Sequence, residues 1–367
     1  MLRTEVSGKT LYLLWAACAV VGVLAALLVA LGNPGNMGIC GACFLRDTAG
    51  ALGLFAGEGP RIFRPELAGL VLGAFLVRAA RGKFEGRSGS YAGARFFLGF
   101  WMGIGTLVFL GCPFRMLQRI GGGDLNAVLG LTGFLAGVGG GRWFELRGYS
   151  AGKTEVVVTP VGVPALLFTV GGVILFLMGL LPFGPGPDNG SGPPPHAVWG
   201  WALGLALISG AILSLTGFCA VTAGRQVFGG PRRMLWATVF LILGYALVSA
   251  ITGKLSIGFT NQPISHSDHF WNVLAMVLVG LTGVLAGGCP VRLVVLSGEG
   301  NGDAMVTAAG ILTGTSLAHS MGMVSSTAGT TGMGRVAVGI GFTVCLLYAV
   351  AVTWARRKRN PEITAKN

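Results

Sequence analysis

Charged residues are scarce in this chain. Asp, Glu, Lys and Arg together make up 11% of its 367 residues, whereas 53% are hydrophobic and the mean hydropathy is +0.73. A soluble globular domain carries roughly 25% charged residues, so this composition excludes a soluble protein. The sequence therefore predicts an all-α polytopic integral membrane protein that forms a single integrated membrane domain.

Several functional signatures are also absent from the sequence. It contains no glycine-rich phosphate loop for ATP, and no pair of carboxylates lies within an apolar run. We therefore expect neither ATP drive nor a carboxylate proton relay. The first apolar run is long enough to span a membrane, so a cleavable signal peptide is not expected. The seven cysteines are odd in number and lie mostly in apolar runs, which argues against an extracellular disulfide framework.

The positive charge of the chain is better explained by membrane topology than by nucleic-acid binding. The net charge is +13, but the basic residues are scattered between apolar runs, so no nucleic-acid partner is expected. Seven of the 26 Lys and Arg residues fall in odd-numbered loops between the predicted spans, and the other 19 fall in even-numbered loops and at the termini. Because cytoplasmic loops are enriched in Lys and Arg, this bias predicts an inner (plasma) membrane protein with both termini in the cytoplasm.

Apolar runs near the spanning length of about 20 residues predict ten helices. They cover 11–31, 65–80, 94–111, 125–141, 157–183, 197–215, 234–252, 270–288, 303–319 and 334–354. An even number of crossings agrees with both termini on one side. The Pro/Gly-rich stretch 184–196 follows the fifth span and is the natural seam between two halves.

The same Cys–Arg phrases occur in both halves. Gly-Cys-Pro-x-Arg stands at 111–115 and again at 288–292. Another cysteine precedes each phrase, Cys40 by 72 residues and Cys219 by 70 residues, counted from cysteine to cysteine. With five residues between them, these two cysteines are followed by Arg46 and Arg225. The repeated spacing predicts one structural unit used twice.

The two predicted units are residues 1–183 and 184–367, with five helices in each. Five is an odd number, so the second unit must enter the membrane from the opposite side, which gives an inverted repeat with its axis in the membrane plane. The Cys-bearing stretches of the first unit are then expected to enter from outside, and those of the second from inside. Four re-entrant loops would converge at the centre of an hourglass-like protein.

Glycine is abundant, with 64 residues. In membrane helices it permits close helix approach and irregular backbone around a cavity. After each Cys-Pro phrase, a glycine-rich stretch ends in an aspartate, Asp124 in the first half and Asp303 in the second. Each aspartate opens the next apolar run, so each is predicted to be a helix N-cap.

The Cys–Arg phrases predict an anion path. Cys-Pro at the end of a span stops a helix, and the short helix that follows offers free N–H groups and the positive end of its dipole. Arginine adds a planar donor fork suited to oxyanions, and the thiol adds a weak S–H donor. A single phrase would be explained by helix packing and an arginine reaching the headgroups, but four phrases at repeated spacing favour function. The predicted path residues are Cys40, Cys43, Cys112, Cys219, Cys289, Arg46, Arg115, Arg225 and Arg292.

Two further motifs leave alternatives open. Cys40 and Cys43 form a CxxC, which is a redox or metal signature, but there is no second CxxC, and a further path-lining thiol is the preferred interpretation. His266 and His269 could bind a metal from an external loop, although such a run is more often simply polar loop. We therefore predict no metal, no cofactor and no catalytic residue.

Taken together, four segments resemble those of the YeeE/YedE sulfur-transport family, and more narrowly its YedE-type selenium-transporter branch. They are Asn33–Cys40, Gly111–Arg115, Thr216–Cys219 and Gly288–Arg292, and the likeness extends over nearly the whole chain. The resemblance implies an hourglass-shaped membrane protein whose thiols pass a sulfur compound such as thiosulfate along the path. For the selenium branch, the substrate is inferred mainly from association with selenium metabolism. By this resemblance the path thiols are Cys40, Cys112, Cys219 and Cys289, with Cys43 as an additional candidate.

The first hypothesis is therefore a channel-like or secondary permease, not an enzyme, for a small sulfur- or selenium-containing anion. Family members with the thiosulfate role often work beside a small sulfurtransferase-like protein that carries a reactive Cys, so the resemblance implies such a cytoplasmic partner. The second hypothesis is a membrane thiol oxidoreductase, or a covalent persulfide or selenium relay, that uses the same cysteines. The third is a structural subunit of a larger membrane complex.

Overall fold

The fold is helical and belongs to a membrane protein. The computed structural model describes residues 8–56, 59–181 and 196–359. Within these residues there are fourteen α-helices and one short two-stranded sheet. The helices are α1 Gly8–Ala30, α2 Gly41–Ala51, α3 Pro65–Ala80, α4 Ala92–Phe109, α5 Pro113–Gly121, α6 Leu125–Leu146, α7 Pro164–Leu177, α8 Trp199–Thr216, α9 Ala220–Val227, α10 Arg233–Ile251, α11 His269–Ala286, α12 Pro290–Gly298, α13 Gly302–Ser320 and α14 Gly332–Arg359. The predicted seam at 184–196 lies outside the described residues except for its last residue.

Six helical segments of the described chain are long and apolar enough to cross a membrane. They are Thr10–Ala30, Ala92–Gly121, Trp199–Thr216, Arg233–Ile251, His269–Gly298 and Gly332–Arg359. The other four predicted spans also form helices, but α3 and α7 have only 16 and 14 residues, and α6 and α13 are less apolar. The protein is therefore a multi-pass membrane protein.

The helix predicted over 157–183 is too long at its start. Residues Glu155–Val157 form strand β2, a 3₁₀ turn covers Thr159–Gly162, and α7 begins only at Pro164. Proline has no N–H to donate and fixes φ, so it is accommodated at the first turn of a helix and not in the interior. Pro160 therefore lies in the first turn of the 3₁₀ segment, and Pro164 begins α7, so the regular helix starts only at Pro164.

One of the two predicted N-caps is wrong. Asp124 caps α6 as predicted, and its carboxylate accepts a hydrogen bond from the N–H of Asn126. In the second half, however, the cap of α13 is Asn301, whose side chain accepts from the N–H of Ala304. Asn is as good a cap as Asp, and it comes two residues earlier. Asp303 instead lies in the first turn of α13.

Polarity is distributed as in a protein surrounded by lipid. Large apolar side chains on the outer helices are exposed, among them Leu167 on α7 and Leu247 on α10. By contrast, Arg64, Arg115 and Arg119 are at most 1% exposed and are among the largest fully buried side chains. Polar groups away from water must be paired or functional, so the buried arginines mark the interior as the place to look for a site.

Two broken spans run antiparallel through the middle. Helices α4 and α5 form one, and α11 and α12 form the other. The start of α4 follows strand β1 (Gly86–Ser88), and the N–H of Arg87 donates to the carbonyl of Gly300 just beyond α12, at 3.0 Å. At the opposite face, the N–H of Ser256, in the loop before α11, donates to the carbonyl of Gly122 just beyond α5, also at 3.0 Å. Each broken span thus begins where the other ends.

Except for α7 and α14, the helix contacts of one half match those of the other when the halves are exchanged. Helix α1 packs on α10 as α8 packs on α3, and α4 packs on α13 as α11 packs on α6. Glycines allow the backbones to touch at these crossings, as the abundance of glycine predicts. A Cβ on Gly22 of α1 would lie 2.1 Å from the carbonyl oxygen of Leu241 on α10. Small residues of this kind are what bring membrane helices into close contact.

The sheet places two loops on one face of the protein. Strand β1 pairs with β2 (Glu155–Val157) in antiparallel register, with Arg87 opposite Val156. The loops between α3 and α4 and between α6 and α7 therefore lie together. The carboxyl end of α14 joins them, because Arg356 donates to the carbonyl of Ser150. The predicted topology likewise places these two loops and the C-terminus on one side.

Candidate functional site

Four cysteines occupy the same structural position, the N-cap of a short helix. Cys40 caps α2, Cys112 caps α5, Cys219 caps α9 and Cys289 caps α12. All four are buried, with exposures of 4% or less. The prediction that a short helix follows each Cys-Pro phrase is confirmed, because Pro113 and Pro290 are the first residues of α5 and α12. Four sets of helix N-terminal N–H groups are thus directed into the protein interior.

The four helix starts meet at the contact between the two halves. Gly41, at the start of α2, touches the backbone of the second half so closely that a Cβ would lie 2.6 Å from the carbonyl carbon of Pro290. The ring of Phe114 on α5 packs edge-on against Phe218, which precedes Cys219, with centroids 5.7 Å apart. Helices α5 and α12 also contact each other. The Cys-bearing helix starts of the two halves are therefore in contact with each other.

The first half holds a connected group of three thiols and one guanidinium. The Sγ atoms of Cys40 and Cys112 lie 3.5 Å apart. The N–H of Cys43 donates to the Sγ of Cys40 at 3.2 Å, and Arg115 Nη1 donates to the Sγ of Cys43 at 3.7 Å. No disulfide links any of the seven cysteines in this structure. The CxxC motif thus belongs to the cluster that contains Cys112.

Helix α5 holds the loop that precedes Cys40. The side chain of Gln118 donates to the carbonyl of Ile39 and accepts from the N–H of Ile39, the latter at 3.0 Å. Arg115 Nε donates to the carbonyl of Asn36 at 3.1 Å. The loop would otherwise carry unpaired buried backbone groups, which are costly. These contacts fix Cys40 against the helix that Cys112 caps.

A cavity of about 130 Å³ adjoins this thiol group. Its wall includes Cys43 and three arginines, Arg46, Arg64 and Arg115. Beside it, the carboxylate of Asp47 bridges two of them, with Oδ1 2.6 Å from Nε of Arg46 and Oδ2 2.6 Å from Nε of Arg64. Three guanidinium groups in one small cavity give it a positive wall. The predicted residues Cys43, Arg46 and Arg115 are therefore together at one site.

The second half also has a thiol pair, and its predicted arginines contact carboxylates. The Cys219 and Cys289 thiols contact each other. Arg292 donates to Glu299 at 2.9 Å, and Arg225 donates to Glu145 at 2.6 Å. The two predicted arginines of this half are thus each held by a carboxylate, and the structure does not bring them to the Arg46 cavity.

The remaining cysteines and histidines lie elsewhere. Cys18 in α1 and Cys345 in α14 are buried in apolar surroundings, in agreement with a packing role. In the loop before α11, His266 Nε2 lies 2.8 Å from the carbonyl of Val108, and its Nδ1 accepts from the N–H of Asp268. These partners assign the neutral Nε2–H tautomer, and burial lowers the pKa of His266 below its usual value. In the described chain, no group of three or more His, Cys, Asp or Glu side chains could hold a metal ion.

The Asp268 carboxylate in the same loop is part of a separate contact with the next loop. It accepts from the hydroxyl and from the N–H of Thr330, at 2.6 and 2.8 Å. Hydrogen bonds to the ionised form favour it, and those from Thr330 lower the pKa of Asp268. This contact joins two loops at the protein surface and does not approach the thiols.

Sequence reasoning missed three residues of the site. Arg64 and Asp47 complete the arginine cavity, and Gln118 holds the loop before Cys40. One signal was available: with only 13 carboxylates in the chain, the adjacent Arg46-Asp47 pair and the Arg-Pro-Glu sequence at 64–66 stand out beside apolar runs. For Gln118 the sequence offers no signal, because its partner is 79 positions away.

Comparison with known proteins does not assign this chain to a family. No protein-family model matches this chain, and a search of curated proteins also finds no match.

Proposed function

We propose that this protein is a channel-like or secondary permease for a small sulfur- or selenium-containing anion, such as thiosulfate or a selenium compound. The observation that carries the proposal is the convergence of four short helices, each capped at its N-terminus by a buried cysteine. No other feature of the described chain combines repetition, burial and chemistry in this way.

Helix N-termini favour anions for a physical reason. Their first N–H groups have no partner within the helix, and the helix dipole adds a partial positive charge. Each capping thiol contributes a weak S–H donor that suits a sulfur or selenium acceptor. A small anion can therefore exchange its water for N–H and S–H donors at the centre of the protein. The charge of Arg115, in the first turn of α5, adds to the attraction.

The membrane arrangement that fits this path is an hourglass of two inverted five-helix repeats, 1–183 and 184–367. The antiparallel broken spans and the exchange of helix contacts between halves support the inversion. The excess of Lys and Arg in the loops joined by β1 and β2 supports a cytoplasmic location for that face, and so an inner-membrane protein with both termini inside. Thiols Cys40 and Cys112 would then be reached from outside, and Cys219 and Cys289 from the cytoplasm.

The motif resemblance to the YeeE/YedE family adds support for a sulfur-compound or selenium-compound substrate. By the same resemblance, a small sulfurtransferase-like protein in the cytoplasm is the proposed receiver of a sulfur substrate. Its docking would take place on the face that carries Cys219 and Cys289. In this proposal the chain moves its substrate and performs no chemistry on it.

Uptake into liposomes tests the proposal. The purified chain should carry labelled thiosulfate into vesicles, with selenite and selenide as competitors that rank the substrates. Cys112→Ala together with Cys289→Ala should abolish uptake, because both capping donors are lost from the two symmetry-related positions. Cys18→Ala is the matched control, since it removes an equally buried thiol from α1. Full uptake by the double variant would end the proposal.

The 3.5 Å contact between Cys40 and Cys112 favours a second candidate function. Two thiols this close could act as a redox pair. They could also bind the substrate covalently, one after the other, in a persulfide or selenium relay. Replacing Cys by Ser separates the two mechanisms. Serine keeps a hydrogen-bond donor, so a non-covalent path should retain part of its activity, whereas a covalent relay or a dithiol oxidoreductase should lose all of it.

A further inference from the structure

Buried guanidinium nitrogens in the arginine cavity have no hydrogen-bond partner. Arg64 and Arg115 are each 1% exposed. Nη1 and Nη2 of Arg64 and Nη2 of Arg115 find no acceptor within the described structure. Leaving a buried charged donor unpaired is costly, and in native proteins such groups call for a specific explanation. Because both side chains line the same cavity, one ligand can supply acceptors to both.

The carboxylate of Asp47 leaves one edge of Arg64 available. It accepts from Nε of Arg64 and from Arg46, so its two oxygens are used by two guanidinium groups. A second carboxylate, Glu66, has its Oε1 3.8 Å from Nη1 of Arg64; that oxygen accepts from Asn33 at 2.8 Å, and Oε2 of Glu66 makes no hydrogen bond in the described chain. The free edge of Arg64 is therefore the Nη1–Nη2 edge. This edge can offer two parallel N–H donors to two oxygens of one ligand.

Size and chemistry limit the ligand to a small oxyanion. The cavity volume of about 130 Å³ is less than half of the roughly 300 Å³ at which pockets for drug-sized ligands begin. A nucleotide or a peptide is therefore excluded. Guanidinium forks match carboxylate-like and phosphate-like oxygen pairs better than they match a single soft atom. The remainder of the wall, including Met37 and Leu110, is apolar and offers nothing to a metal cation.

We propose that this cavity is an oxyanion-binding site in which Arg64 and Arg115 are the donors and Asp47 is the positioning residue. It takes small tetrahedral oxyanions through their oxygen atoms, and it does so whether or not the anion carries a terminal sulfur or selenium. Selection for sulfur or selenium is then left to the neighbouring thiols. Binding of an anion in the cavity does not depend on transport. Only the role of the cavity as the first binding site on a transport path rests on the proposed function.

The predicted path arginines of the other half have carboxylate partners, whereas Arg115 has none among the described residues. There Glu299 accepts from both Arg292 and Arg78, and Glu145 accepts from Arg225. Each predicted path arginine of that half is therefore in direct contact with a carboxylate.

Binding of inorganic sulfate tests the site directly. The purified full-length chain in detergent should bind sulfate, measured by calorimetry, and sulfate should compete with thiosulfate. Arg64→Gln should weaken sulfate binding at least tenfold. It should still fold, because Asp47 keeps Arg46 as a partner. Arg61→Gln is the matched control, since it removes an exposed charge from the same loop and should leave the affinity unchanged. Equal sulfate affinity in the wild type and Arg64→Gln would overturn the proposal, as would absence of sulfate binding to the wild type.

A second measurement needs no variant. Crystals of the wild-type chain grown with selenate should give an anomalous selenium peak in the cavity, within hydrogen-bond distance of Arg64 and Arg115. A fully occupied peak elsewhere with an empty cavity would contradict the site. Sulfate binding in a chain that fails to transport would remove the proposed function and keep the site. Normal transport that sulfate does not inhibit would contradict the site and leave the proposed function in place.

Discussion

The thiol sulfurs of Cys40 and Cys112 lie 3.5 Å apart, although 72 positions of sequence separate them. A disulfide needs an S–S distance of about 2.05 Å, so a small side-chain movement would close the bond. We expect a mild thiol oxidant to link these two cysteines within one chain. Mass spectrometry of alkylated peptides would identify the bond, and Cys40→Ser should prevent it. The oxidant could instead leave Cys40 and Cys112 unlinked while Cys18 and Cys345 react with one another or with other chains. That result would contradict the short distance between Cys40 and Cys112.

Gln118 should control the approach of the two thiols. Gln118→Leu keeps a similar shape but leaves the buried N–H and carbonyl of Ile39 unpaired, which costs about 1–3 kcal/mol for each group. We expect a lower midpoint of thermal unfolding and a lower yield of the Cys40–Cys112 disulfide. Gln226→Leu is the matched control, because the Gln226 side chain likewise pairs two backbone groups, in this case two N–H groups in the second half. That variant should lose stability and keep the disulfide yield.

Gly41 should tolerate no side chain. The Cβ of Gly41→Ala would lie 2.6 Å from the backbone of Pro290, so α2 and α12 would be forced apart at the centre. We expect loss of uptake in liposomes and a lower unfolding temperature. Gly204→Ala provides the comparison, since nothing lies within 4 Å of a Cβ there and Ala favours a helix over Gly by about 1 kcal/mol. Uptake that survives in Gly41→Ala would show that the two helix starts need not touch.

Asp47 should be essential for stability. Removing the charge of one partner from a buried ion pair costs about 3–5 kcal/mol, and Asp47 serves two arginines at once. We therefore expect Asp47→Asn to lower the free energy of unfolding by at least this amount. Glu85→Gln breaks the Glu85–Arg87 pair, whose carboxylate is 47% exposed, and should have little effect. Equal stabilities of the two variants would mean that the arginine cavity does not depend on its carboxylate.

His266 should make stability depend on pH. Burial lowers its pKa in the folded protein, so between the folded value and the unfolded value of about 6.5 the unfolded chain binds more protons. This contribution to stability is fully present above about pH 6.5 and is lost as the pH falls through the folded pKa. We expect the unfolding temperature to decrease on acidification below that pH.

The matched variants for this prediction lie in one loop and at the start of the helix that follows it. His266→Gln keeps a donor for Val108 and an acceptor for Asp268 but does not titrate, so the slope between pH 5 and 7 should become flatter. His269→Gln replaces an exposed histidine at the start of α11 and should keep the slope of the wild type. A wild-type slope in His266→Gln would assign the effect to another group.

The sequence by itself determined the class of protein, the positions of most helices and the short helix after each Cys-Pro. These properties are local: an apolar run defines a helix, and proline after Cys112 or Cys289 fixes the first turn of the next one. The recurrence of the Cys–Arg motifs, at separations of 72 and 70 residues, can likewise be read without coordinates. The errors were local as well, at Pro164 and at Asn301, where a nearby residue competed for the same helix start.

Only the tertiary structure decided which arginines have a carboxylate partner. Arg115, Arg225 and Arg292 look alike in the sequence, but folding brings a carboxylate to Arg225 and Arg292, whereas Arg115 donates to a backbone carbonyl and a thiol. The Glu145 that meets Arg225 is 80 positions away. Such pairings depend on how distant helices cross, and Coulomb interactions in a buried site change steeply over a few ångströms. The cavity beside Cys43, and the role of Arg64 in it, therefore became visible only once the chain was folded.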